Sequence, residues 1–251
     1  MRGRFVIRAG GLAAAALLAT PASSHDSIQN AAVEGVWNRN ALLMVHGCAD
    51  GVTQRPVIAQ SVVFPTQAPR ITRSDGVPTT MEDEIEGGSL ANLFRPIQDR
   101  NIFERHETTV DELGNGIGWH KRNGLLRTDS YGEVPFQFAS IFFVSPCVKS
   151  ARIELAIADI CKVSANPVDG EVNLFIPNAT AAFPDPAIHG VGEPTGFYVE
   201  NDVPPSEDDG CTDNGDGTYG YDLLISPSDA DVDAHLPIPG YWPRGRKSTP
   251  R

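Results

Sequence analysis

Seven stretches of the chain alternate with a two-residue period: ALLMVHGC (41–48), PVIAQSVVF (56–64), FQFASIFFV (136–144), RIELAIADIC (152–161), EVNLFIPN (171–178), GFYVEN (196–201) and YGYDLLIS (219–226). Each has the length of a strand, and Gly, Pro, Asn or Asp clusters separate them. Ile153, Leu155 and Ile157 alternate with Arg152, Glu154 and Ala156, and Val172, Leu174 and Ile176 alternate with Glu171 and Asn173, so each run has one face for a core. This pattern predicts an all-β chain in which two sheets cover each other, an immunoglobulin-like antiparallel β-sandwich. The 24 Gly and 20 Pro among 251 residues fit many short elements joined by turns.

Helical signal is scarce. SLANLFRPIQDRNIFERHETT opens with a capping Ser89 and carries Leu90, Leu93, Phe94 and Ile97, but Pro96 interrupts it after about two turns. The region 67–130 is therefore expected to be a loop-rich, partly helical insertion on a sandwich domain spanning 25–227. Residues 202–216 form an acidic, turn-rich segment, and 228–251 read as a C-terminal tail.

Arg2, Arg4 and Arg8 precede the apolar run AGGLAAAALLA, and the small residues of TPASS follow, which is the three-part form of a secretory signal peptide over residues 1–24. The apolar run is too short to span a bilayer, and no later stretch is long enough. The expected location is therefore secreted, periplasmic or cell-surface. Cleavage after Ser24 makes His25 the mature N-terminal residue, whereas a cut after Ala22 leaves Ser23 in front. Three arginines and no acid leave with residues 1–24, which moves the formal charge from -12 to -15. A chain this acidic lacks the cationic face that nucleic acid requires.

Cys48, Cys147, Cys161 and Cys211 are an even number in an exported chain, so disulfides are expected, with three connectivities open. None is spaced CxxC, which excludes a zinc ribbon and a thioredoxin-type site. GxSxG, HExxH, P-loop and Rossmann glycine patterns are absent. If all four Cys pair, none is left for a type-1 copper centre.

The remaining chemistry lies in six histidines. An N-terminal His25 offers a metal two nitrogens, its amine and its ring, and a second His completes a three-nitrogen set suited to Cu(II). His46 stands two residues before Cys48, where a disulfide would hold it in place. His120 follows Trp119 in the glycine-rich GNGIGWHKR. His106, beside Glu104 and Glu107, and the loop residue His189 are secondary metal candidates, and His235 is the weakest. DNGDGT (213–218) has the look of a Ca²⁺ loop but places Thr212 where an EF-hand needs its first acid.

The combination of a signal peptide, His25 and VHGCADGVTQRPVIAQSVVFPT resembles the opening of the secreted YcnI-like domains, with Val45, His46, Gly47, Cys48, Thr53 and Pro65 in the corresponding places. The likeness covers 25–66 and extends loosely to the strand ending in Cys161. It implies an extracytoplasmic copper-binding protein with an immunoglobulin-like fold, in which the N-terminal His binds copper and a carboxylate and a Trp lie nearby. Glu34 and Trp37 in AAVEGVW are the residues available for those two places. In that family the HGC element is structural through its Cys, so His46 as a ligand rests on the chain's own spacing. The expected function is copper storage, delivery or uptake, with a periplasmic or membrane copper-handling protein as partner. Two alternatives stand beside it, a secreted copper-dependent polysaccharide monooxygenase and a metal-free adhesion module.

Overall fold

The structure is a computed structural model that describes residues 26–242. Residues 1–24, read above as a signal peptide, His25 and the residues after Trp242 lie outside them. In chain order the strands are β1 (Ser27–Ile28), β2 (Ala32–Val33), β3 (Asn38–Met44), β4 (Cys48–Ala49), β5 (Gln54–Arg55), β6 (Ala59–Val63) and β7 (Arg70–Arg73). The short helix α1 (Met81–Glu84) precedes β8 (Phe94–Pro96), β9 (Phe103–Val110), β10 (Gly116–Gly124) and β11 (Gly132–Phe138). Then come β12 (Val148–Ile160), β13 (Val172–Phe175), β14 (Thr195–Glu200), β15 (Tyr221–Ser226) and helix α2 (Asp229–His235).

The fold is an all-β sandwich. One layer has the order β1-β3-β11-β8, the other runs β2-β14-β12-β6-β10-β9, with β13 and β15 also on β12 and β7 on β15, and β4 and β5 form a separate two-stranded sheet. Leu42, Met44, Val134, Phe136 and Phe138 from the first sheet meet Val62, Trp119, Ile153, Leu155, Ile157 and Phe197 from the second in one core. Phe64 stacks on Phe94 at 4.0 Å between ring centroids and touches Trp119 at 5.1 Å, so aromatic contacts bridge the layers. Two pairings depart from the antiparallel expectation: β12–β15 and β14–β2 are parallel. A parallel neighbour needs a long connection. The acidic segment after β14 supplies it for β15, and the Cys147–Cys211 disulfide ties that segment to the start of β12.

The region expected to be an insertion contributes β7, β9 and β10 to the large sheet and β8 to the small one. Its strands were hard to read because β9 (FERHETTV) lies at an edge, exposed on both faces, and so shows no alternation. Phe94–Pro96, placed in a broken helix from sequence, pairs with Phe136–Phe138 instead. A Cβ on Gly118 would lie 1.9 Å from the Val62 carbonyl, which explains a glycine in GNGIGWH where β10 crosses β6.

The C-terminal region is also built into the fold. Val232, Leu236, Ile238 and Trp242 cover the outer face of β6, β12 and β13, and Trp242 stacks on Phe183 at 4.5 Å. Consequently β6 and the second half of β12 are buried on both faces.

Candidate metal centre

His46 lies in the three-residue link between β3 and β4. Its position is fixed from both sides: β3 pairs along its length with β11, and Cys48 is bonded to Cys161 across 113 residues, with Cα atoms 6.0 Å apart. A Cβ on Gly47 would fall 1.9 Å from the Arg55 carbonyl, so only glycine allows β5 to approach this link. The second disulfide is Cys147–Cys211, and no cysteine is free among the described residues.

The His46 ring faces His189, with centroids 5.7 Å apart and planes tilted by 50°. His189 follows β13 on a loop, yet it is well held. Its carbonyl accepts the Leu174 amide at 2.8 Å, its amide donates to Asp169 Oδ1 at 3.2 Å, and the Phe175 ring meets its imidazole edge-on at 5.8 Å. Both residues are half-buried; His189 Nε2 is itself buried, and His46 Nδ1 lies against the Gly47 carbonyl oxygen.

Two acids lie at the same end of the core. Asp159, the last core-facing residue before the end of β12, has no exposure, and Asp26 is 5% exposed. Burial, then the Asp159 charge and the hydrogen bond with it, drive the Asp26 carboxyl well above the usual range, against a bond from the Val45 amide. Burial also raises Asp159, opposed by its bonds from Asp26 and Gln60 and by the charge of His46. One proton shared between the two carboxyls fits these directions: Asp26 donates and Asp159 accepts. Gln60 Nε2 donates to Asp159 Oδ1 at 2.9 Å, and Trp119 Nε1 reaches Gln60 Oε1 at 3.4 Å. A cleft of about 520 Å³ opens beside Asp26, bounded by Ser27, Arg152, Glu193 and Thr195.

The other candidates are placed elsewhere. Glu34 Oε1 accepts the Phe143 amide at 2.7 Å, and its own amide donates to the Glu200 carbonyl. That is the far end of β14 from Thr195, which bonds Asp26, a separation of about 17 Å at strand rise. Trp37 is exposed and precedes β3, whereas His46 follows it, so the strand's length separates them. His120 is opposite Ser61 on the sheet face turned away from Gln60 and Asp159, and its Nε2 bonds the His235 carbonyl at 2.9 Å. Burial lowers its pKa, which suits a neutral, structural imidazole. Trp119 is a core residue that reaches the acids only through Gln60. His106 sits on edge strand β9 with Nε2 bonded to the Phe103 carbonyl, its pKa lowered by burial and by Lys121. In the DNGDGT loop Asp213 Oδ1 accepts the Gly215 amide and Asp216 Oδ1 accepts Thr218, so these oxygens are used in shaping the turn.

Among the described residues, no group of three or more His, Cys, Asp or Glu side chains is arranged to hold a metal ion. The structure brings together a pair, His46 and His189.

No family model and no curated protein matches this chain. Among solved structures it is similar to a Nocardia farcinica protein described as uncharacterised with an immunoglobulin-like fold. The match has a TM-score of 0.38 at 8% identity and covers 71% of this chain and 99% of that one.

One buried charge outside the site leads to a prediction. Lys121 is 1% exposed, and burial pulls its ammonium down to about 8, with Asp99 opposing. The folded value lies below the unfolded 10.5, so stability rises as pH climbs from about 8 to 10.5 and the fold carries the cost below that window. At pH 7 that cost is about 3 kcal/mol. Lys121→Met is expected to raise the urea midpoint at pH 7 and flatten the rise toward pH 10; an unchanged midpoint and slope would contradict it.

Proposed function

We propose that this chain binds copper outside the cytoplasm, for storage, delivery or uptake, through His46, His189 and an N-terminal His25. The observation that carries the reading is the His46–His189 pair: two anchored, half-buried histidines from separate elements, with ring centroids 5.7 Å apart. Imidazole and amine nitrogens suit Cu(II), and bound copper would supply a cation able to change oxidation state. The residues of the chain do the holding. The Cys48–Cys161 bridge fixes His46, and Phe175 and the β13 backbone orient His189. Two disulfides fit an oxidising compartment. No helix of the described residues is long and apolar enough to cross a membrane.

Copper titration of three forms tests this: the chain beginning at His25, the His25→Ala variant, and a form with one added N-terminal residue. Tight one-to-one binding is expected only in the first. Equal binding by all three would exclude the N-terminal ligand.

A second reading, copper-dependent oxidation of a polysaccharide, is favoured by one surface. Tyr198 is 44% exposed beneath the Arg152 guanidinium, 5.7 Å from its ring, and Arg152 also lines the cleft at Asp26. Reductant-dependent release of oxidised sugars from chitin or cellulose would establish it over delivery.

A further inference from the structure

We infer that the free edge of β9 is a docking surface for a second copy of this chain, whose own β9 pairs with it antiparallel so that His106 stands opposite His106. The inference is independent of the copper reading.

β9 is the last strand of the large sheet, with β10 on one side and, among the described residues, no strand on the other. The residues flanking the pair fix which backbone groups face that open side. The Leu125 amide donates to the Ile102 carbonyl, whereas the Gly124 and Leu126 amides donate in the opposite direction, to Ile58 and Val57. The same register sets Lys121 opposite His106 and Arg122 opposite Arg105. Even-numbered residues of β9 therefore bond β10, and Arg105 and Glu107 direct their amides and carbonyls to the free edge. The Phe103 carbonyl, directed the same way, already accepts His106 Nε2 at 3.0 Å, so the available ladder starts at Arg105. A cleft of about 610 Å³ borders the strand, lined by Arg105, His106 and Glu107 together with Pro96, Gln98 and Arg100.

A charged edge repels most strands that could add to it. Here backbone phase and charge together select one partner. Because the odd-numbered residues must form the hydrogen-bonded pairs, a two-fold pairing near the middle of β9 centres on residue 105, 106 or 107. Centring on Arg105 or Glu107 sets that residue against its own copy, a like-charge pair. Centring on His106 sets Arg105 of each copy against Glu107 of the other, which makes two opposite-charge pairs. Arg105 has a use for such a partner. Within its own sheet it stands directly opposite Arg122, the ion-pair partner of Glu107, and it has no ion pair of its own among the described residues.

Sedimentation equilibrium over a concentration series tests this, and a reversible monomer–dimer equilibrium is expected for the unaltered chain. Arg105→Glu sets Glu against Glu and Glu107→Arg sets Arg against Arg, so each variant alone should dimerise more than about 10-fold more weakly. Mixed in equal amounts, the two variants again pair Glu with Arg, and the mixture should regain the dimer. Arg105→Pro removes an amide that β10 does not use, a place where an edge strand accepts proline, so it should abolish the dimer and leave the fold intact. Should a variant not fold, amide hydrogen exchange of the unaltered chain decides the matter: the Arg105 and Glu107 amides should exchange more slowly as concentration rises. An unaltered chain that stays monomeric would overturn the inference. So would a dimer indifferent to Arg105→Pro, a mixture as weak as either single variant, or exchange at those two amides that does not change with concentration.

Discussion

Replacing Cys48 and Cys161 together by Ser is expected to lower the unfolding free energy by about 4–5 kcal/mol, the chain-entropy value for a bridge closing a loop of this size. The bridge spans 113 residues and joins the first residue of β4 to the residue after β12. β4 pairs with β5 in a separate two-stranded sheet, so the bond fastens that hairpin, and the link from β3 that leads into it, to the large sheet. Urea denaturation with Cys147–Cys211 intact measures the loss. Because His46 is two residues from Cys48, copper affinity should fall in the same variant even under conditions where it remains folded. A stability change under about 1 kcal/mol would mean that packing alone already fixes this end of the sandwich.

The second large effect concerns the ligand pair. His46→Ala and His189→Ala are each expected to weaken copper binding more than 100-fold, beyond the about 10- to 100-fold that follows loss of a supporting contact. Neither should unfold the protein. His46 is half-buried on a link that the disulfide still holds, and His189 gives up an edge-on contact with Phe175 worth about 0.5–1.5 kcal/mol. His120→Ala is the matched control, since His120 lies on the other face of the sheet and bonds the His235 carbonyl. Copper affinity should be unchanged there while stability drops. If His120→Ala weakens copper binding as much as His46→Ala does, the pair is not the site.

How far the sequence could be read depended on whether a residue's role was local. Alternation along RIELAIADIC and EVNLFIPN marks strands because one sheet face is buried and the period is two. The same rule missed β9, whose charged residues occupy both faces of an edge, and it placed Phe94 in a broken helix because a three-residue strand has too few residues to show a period. His46 was legible from its spacing to Cys48. His189 looked like an isolated loop histidine, since only the fold brings the end of β13 to the link after β3. Glu34 and Trp37 are close to His25 in sequence but are carried to the other ends of β14 and β3 by strand length. A signal for Asp159 was present: it continues the core-facing series Ile153, Leu155, Ile157, where an acid breaks the apolar pattern. Gln60, between Ala59 and Ser61 in a strand buried on both faces, is the matching anomaly and its hydrogen-bond partner. Polar residues at core-facing positions of otherwise apolar strands pointed to this end of the sandwich.

The donor set around Cu(II) tests the central claim most directly. With 32 acidic residues the chain offers many surface carboxylates to stray copper, so binding alone does not identify the site. Electron paramagnetic resonance with nitrogen hyperfine analysis separates the cases. For the chain beginning at His25, loaded with one equivalent of Cu(II), the account predicts a nitrogen-dominated set from imidazoles and the terminal amine, with fewer nitrogens after His46→Ala or His189→Ala. An oxygen-dominated spectrum, or one that neither substitution alters, would contradict it.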